Sequence, residues 1–206
     1  MKINKILAAL LALIMLAALA ACDSGKEQLA NEVSATGRKI TAAEFEEALF
    51  SLRFSDNNAT PEQALYDLVM RRIYIWEADS LGLLPDIEEV RREVRQGYES
   101  IRDSAADINS EYNYGAKIAW EVVQNYLKYM DMSEEAYLEL ALETSLYNAA
   151  VAVLHEQVLA ELLPAAGELE QQQAIADYDK SLVEKYRDDL VEDNLLPLLD
   201  EVLEDI

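Results

Sequence analysis

The sequence predicts an all-α fold, and three observations carry that expectation. Hydrophobic residues make up 51% of the 206 positions, yet they recur at intervals of three and four between charged residues, the spacing of helix faces packed on a core. Glycine (6) and proline (4) are too scarce for a chain of many short strands and tight turns. Helix-start signals recur just ahead of the apolar stripes.

The first helix opens with Thr41-Ala42-Ala43-Glu44, a capping box in which hydroxyl and carboxylate satisfy each other's backbone amides. Phe45, Ala48, Leu49 and Leu52 form a stripe that ends near Arg53. Ser55 to Ala59 reads as a loop. Thr60-Pro61-Glu62-Gln63 starts a second helix with a buried face of Leu65, Leu68, Val69, Ile73 and Trp76, closed near Leu81-Gly82, where glycine tolerates the left-handed conformation. Asp86 caps a third helix, with Glu89 reaching back and Ile87, Val90, Val94, Tyr98, Ile101 and Ala105 on its inner face.

Asp107 to Asn113 is polar and reads as a loop. A fourth helix carries Ala119, Trp120, Val123, Leu127 and Met130. Ser133 caps a fifth, with Met132 and Tyr137 spaced as a hydrophobic staple. Leu146 to Leu154 is apolar almost all round, so this helix is expected at the centre of the domain. Pro164 to Gly167 breaks the pattern, and the polar stretch Glu168 to Gln173 leads into a final acidic helical region. That region carries Tyr178, Leu182, Tyr186, Leu190, Leu195, Leu198, Leu199 and Val202, with a break or kink at Pro197. It is expected to pack back on the domain or on a partner, because amphipathic helices rarely stand alone.

The formal charge is -23, and it falls to -25 (15 Lys+Arg against 40 Asp+Glu) once the first 21 residues, with Lys2 and Lys5, are removed. So acidic a surface repels phosphate backbones and anionic headgroups, and nucleic acid is not an expected partner. Basic segments of unfolded secreted proteins, cationic partners or divalent cations at a wall fit it better.

Residues 1-21 have the form of a signal peptide: Lys2 and Lys5, an apolar run from Ile6 to Leu19, then Ala20 and Ala21. Leu19-Ala20-Ala21-Cys22 resembles the lipobox of bacterial lipoproteins, which implies a diacylglycerol on the Cys22 sulfur and a chain anchored at the bacterial cell membrane, facing the extracytoplasmic side. Cys22 is the single cysteine, so its lipidation leaves no thiol for a disulfide, a thiolate metal site or a nucleophile. Residues 22-32 form a polar tether, 33-165 a helical domain and 166-206 an acidic helical extension.

No catalytic site is legible. His155 is the single histidine, with no second His or Cys to complete a cluster, and it reads as a structural residue. Paired acids such as Glu88-Glu89, Glu134-Glu135 and Asp188-Asp189 diverge around their helices and read as solvated faces. No phosphate loop, nucleophile elbow or metal-binding motif occurs, so neither a cofactor nor a metal is expected.

Ala64 to Val94, reading ALYDLVMRRIYIWEADSLGLLPDIEEVRREV, resembles the N-terminal domain of SurA-type chaperones and PrsA-type foldases. The shared pattern is an apolar helix ending in Glu77-Ala78 and Leu81-Gly82-Leu83, a break, then a capped acidic helix. Arg38 to Phe45 resembles that family's approach to its first helix, and Met132 to Tyr137 its later M-S-E-E-x-Y segment. The resemblance covers about Val33 to Leu163. It implies a SurA N-terminal-domain-like helical domain that cradles unfolded or secreted proteins, completed by a C-terminal helix packing back on it. The parvulin prolyl isomerase domain that usually follows has no counterpart, so no enzyme activity is expected. The implied function is a membrane-anchored holdase or assembly factor. The alternative is a non-catalytic adaptor lipoprotein for one folded partner. Trp76, Tyr98, Trp120, Tyr126 and Met130 are the candidate client-binding residues, because large apolar side chains supply sequence-tolerant contact area.

Overall fold

The structure, a computed structural model, describes residues 39–107, 113–162 and 167–204. The signal segment, Cys22 and the tether lie outside the described residues. So do the middle of the Asp107–Asn113 loop and the Pro164 break.

The described chain is all-helical: α1 (Ala42–Ser55), α2 (Pro61–Ser80), α3 (Ile87–Ala106), α4 (Asn113–Met130), α5 (Glu134–Ala160), α6 (Glu168–Leu190), a 3-10 turn (Asp193–Leu195) and α7 (Leu196–Glu204). None of these helices is long and apolar enough to cross a membrane. Contacts divide the chain into two compact units. Among the described residues, one is built from Pro85–Asn148; the other joins residues 39–84 with those from Ala149 onward.

Local chemistry sets the helix ends. Both capping boxes form: Thr41 with Glu44, and Thr60 with Gln63. α2 closes in a Schellman motif, with Leu83 N donating to Ala78 O (2.8 Å), Gly82 N donating to Asp79 O (2.9 Å) and Gly82 at φ 67°. α4 ends in the same way around Asp131, at φ 49°, with Met132 N donating to Leu127 O (2.9 Å). Asp86 caps α3 by accepting from the amides of Glu88 and Glu89. The Glu89 carboxylate, expected to reach back to that cap, accepts instead from Arg92 one turn on. At the other end, Asn113 Nδ2 donates to the carbonyls of Ser104, Ala105 and Asp107, satisfying acceptors left open where α3 stops.

In the first unit α3 and α4 pack along one another and the start of α5 covers them. Tyr98, Val123, Leu127 and Leu138 form the core, with Val94, Trp120, Met132 and Tyr137 against it. The staple pair Met132 and Tyr137 therefore meets on one cluster, and Ser133 Oγ accepts from Ala136 N (3.2 Å) as the cap. Arg95 reaches both oxygens of Glu135 and Arg91 bonds Glu139, tying α3 to α5. Such exposed pairs contribute at most about 1 kcal/mol each.

The second unit is built round α2, which packs against α1, α6 and α7. From Met70 to Ala78 nearly every side chain is buried, and only Arg71 and Trp76 keep partial exposure. The C-terminal helices thus pack back on the chain's own domain. Ile40 and Val191 pair in a parallel bridge, with Ile40 N donating to Leu190 O (2.7 Å) and Glu192 N donating to Ile40 O (3.0 Å). This joins residues flanking α1 and α6 across most of the sequence.

Three expectations change. α5 is not enclosed all round: Leu142, Leu146, Ala150 and Leu154 make one buried stripe at a spacing of four, while Ala152 is exposed. Its alanines reflect helix propensity more than enclosure, and α2 is the enclosed helix. Glu168 to Gln173 is not a lead-in but the first turns of α6, with Glu170 Oε2 accepting from Gly167 N (2.9 Å). Pro197 does not kink a helix. It lies in the first turn of α7, where its missing N–H goes unused, and the break precedes it.

Candidate functional site

α2 carries three buried side chains with polar atoms, Arg72, Tyr74 and Glu77, and each finds its partner on another helix of the same unit. Arg72 bonds Glu44 Oε1 of α1 at 3.2 Å. Tyr74, 1% exposed, donates its hydroxyl to Asp179 of α6, while His155 Nε2 of α5 lies 2.6 Å from the same oxygen. Glu77 accepts from Lys185 Nζ and from Tyr186 Oη (2.7 Å), both on α6. A buried polar group without a partner costs about 1–3 kcal/mol, so these bonds fix which faces of α1, α5 and α6 can meet α2.

The electrostatics follow. Burial pushes Glu77 up, but the bonds from Lys185 and Tyr186 and the Lys185 charge outweigh it and hold the carboxyl below its ordinary value. Glu44 behaves alike: burial opposes, and bonds from Thr41 with the Arg72 guanidinium win. For Asp179 burial prevails over the Tyr74 bond and the nearby His155, and its carboxyl titrates above the usual range. Burial, with Glu77 close by, lifts the Tyr178 hydroxyl to about 12.

Beside this network, in the same unit, an open groove of about 550 Å³ is lined by Leu52, Ala59, Tyr66, Ala176 and Val202, with Asp56, Glu62, Gln63, Asp67 and Asp179 among them. Its apolar residues come from α1, the α1–α2 loop, α2, α6 and α7. Every charged lining residue is an acid. Burial keeps Asp67 above its ordinary value against the pull of Arg71, and it lifts Tyr66 with help from Asp179 and Asp67. Asp179 faces both ways, belonging to the groove and to the Tyr74–His155 network. Among the described residues no cluster of three or more His, Cys, Asp or Glu could hold a metal ion.

The five residues singled out from sequence fall in two places. Tyr98, Trp120 and Tyr126 join one aromatic cluster in the first unit: Tyr98 meets Trp120 edge-on (centroids 5.3 Å apart), and Tyr137 bridges Tyr98 (5.9 Å) to Tyr126 (6.0 Å). Tyr98 is only 7% exposed there, and burial with Glu134 nearby lifts its hydroxyl to about 12. Met130 is half-buried at the end of the same α4. Trp76 lies in the other unit, edge-on to Tyr186 at 5.5 Å. The groove residues Tyr66 and Ala176 and the partners of His155 were not picked out from sequence, and Leu52 and Val202 were read only as parts of apolar stripes. A signal existed: Arg72, Tyr74 and Glu77 interrupt the apolar run Val69 to Ala78, and polar groups on a helix enclosed by neighbours need internal partners.

Compared with known proteins, the chain matches no family model, no curated protein and no solved structure.

Proposed function

We propose that the chain is a membrane-anchored, extracytoplasmic chaperone-like lipoprotein that holds unfolded or secreted polypeptide segments without turnover, with Cys22 as the lipidated residue. The observation that carries this reading is the groove of the α2 unit. An open cleft of about 550 Å³ has room for several side chains of an extended segment. Half-buried Leu52, Tyr66 and Ala176, with buried Ala59 and Val202 behind them, offer contact area that is indifferent to sequence, and a wholly acidic set of charges favours segments carrying Lys or Arg. The net charge of -23 acts in the same direction at longer range, steering basic chains inward. The lipobox-like Leu19 to Cys22 and the SurA- and PrsA-like helix pattern support the same assignment.

Site-specific crosslinking tests it. A photo-crosslinking residue replacing Tyr66 in the lipidated full chain is expected to capture many unfolded secreted proteins, and one replacing exposed Glu156 is not. Capture of a single stoichiometric folded partner would favour an adaptor, and equal capture at both positions would remove the groove from the account. Metabolic labelling with a fatty acid addresses the anchor: label should enter the wild type and not Cys22→Ser.

A further inference from the structure

The outer face of α4 differs from the other helix surfaces in charge and in exposed apolar area. α4 carries Lys117 and Lys128 against Glu121, a formal +1, whereas each of the other six α-helices among the described residues holds more acid than base. Tyr114 is 80% exposed and Val122 and Tyr129 are 38% exposed each. At about 100° per residue these three positions, with half-buried Ile118 between them, fall in one stripe along the helix. Exposed Lys117 and Lys128 run along one edge of it, with exposed Glu121 between that edge and Tyr114 and exposed Asn125 within the stripe. The opposite side of α4, with Ala119, Val123 and Leu127, is buried in the first unit.

Tyrosines with polar tips, an aliphatic side chain between them and lysines on flexible stems form the composition that lies in the headgroup region of a bilayer. We infer that this face of α4 rests on an anionic lipid surface, with Tyr114, Val122 and Tyr129 at headgroup depth and Lys117 and Lys128 on lipid phosphates. The inference rests on the lipid-anchored reading above and adds an orientation to it. Charge complementarity selects the occupant: in a chain of net charge -23, the other helices are repelled by anionic headgroups and this one is not. Two lysines and three apolar groups are too few to hold a free protein at a bilayer. A lipid on Cys22 makes the encounter intramolecular, with an effective concentration on the order of mM, and there a weak contact is enough to turn the molecule.

The test uses the full lipidated chain with an environment-sensitive fluorophore on Val122→Cys, and on Gln96→Cys, exposed on the outer face of α3 in the same unit, as the control. With mixed phosphatidylglycerol–phosphatidylcholine vesicles in excess, the label at 122 is expected to shift to the blue and the label at 96 to stay unchanged. K117Q/K128Q should weaken the lipid dependence about 25-fold, the product of about fivefold per lysine at an anionic surface. Equal responses at the two positions would overturn the inference, as would a shift at 122 that needs only higher protein concentration and no vesicles, which would make this face a protein interface. Flotation with the vesicles in high salt reads the anchor separately. A chain that floats with a silent label at 122 overturns the orientation and leaves the anchor. A chain that does not float overturns both, because the α4 face alone is too weak to hold a free protein at the bilayer.

Discussion

Tyr74 and His155 share one hydrogen bond, with Nε2 2.6 Å from the phenolic oxygen, and the same hydroxyl donates to Asp179. A hydroxyl has one proton to give. With that proton directed at Asp179, His155 must donate through Nε2–H, so the contact fixes its tautomer. In Tyr74→Phe both partners lose their bond inside the unit, and the expected cost is about 1–3 kcal/mol of unfolding free energy. Chemical denaturation measures the cost, and nitrogen chemical shifts of His155 should report Nε2–H in the wild type and a mixture in the variant.

The second buried pair follows similar logic with a smaller magnitude. Removing one partner of a fully buried ion pair costs about 3–5 kcal/mol, but Lys185 is half-exposed and Tyr186 still bonds Glu77. Lys185→Met should therefore cost about 1–2 kcal/mol, and Glu77→Leu more, because it strands Tyr186 as well as Lys185. A double-mutant cycle between Glu77 and Lys185 should give a coupling well above the few tenths of a kcal/mol of a surface pair.

Stability should vary with pH in two opposed steps. Asp67 and Asp179 titrate above their ordinary value in the fold, so ionising them opposes folding, and acidification from neutral pH relieves that cost together with the repulsion of the -23 charge. Glu44 and Glu77 titrate below the ordinary 4.5; their contribution is complete above that value and is lost as pH falls through the folded value. Thermal melts should therefore be highest on the mildly acidic side and fall again below about pH 4. A monotonic rise in stability down to strongly acidic pH would contradict the assignment of Glu44 and Glu77.

Asp131 closes α4 with a left-handed backbone at φ 49°, which a residue bearing a Cβ adopts at a cost of about 1 kcal/mol. Asp131→Gly should raise the stability of the α3–α4 unit by up to about 1 kcal/mol, less whatever flexibility glycine adds to the unfolded chain. Hydrogen exchange confined to that unit would register the gain.

Much of this fold could be read from single residues. Thr41, Thr60, Gly82, Asp86 and Ser133 announce helix ends because capping is local chemistry, complete within a few residues. The stripe of α3 and the Met132–Tyr137 staple were legible for the same reason. What local patterns do not carry is which helix lies at the centre. Leu146 to Leu154 is the more apolar segment, yet α2 is the enclosed one, because Arg72, Tyr74 and Glu77 are satisfied by residues 28, 81, 105, 108 and 109 positions away. The groove was hidden likewise, since Leu52, Tyr66, Ala176 and Val202 converge only after the C-terminal helices fold back. The bond of His155 to Tyr74 was hidden for the same reason, because the two residues are 81 positions apart.

The groove's role is tested most directly by titrating aggregation of an unrelated denatured secreted protein with the full lipidated chain and with Ala176→Trp, which fills the groove from α6. The wild type is expected to suppress aggregation at about equimolar amounts, and the folded, tryptophan-filled variant to lose most of that protection. Protection undiminished in the variant, or none from the wild type even in large excess, would contradict the account.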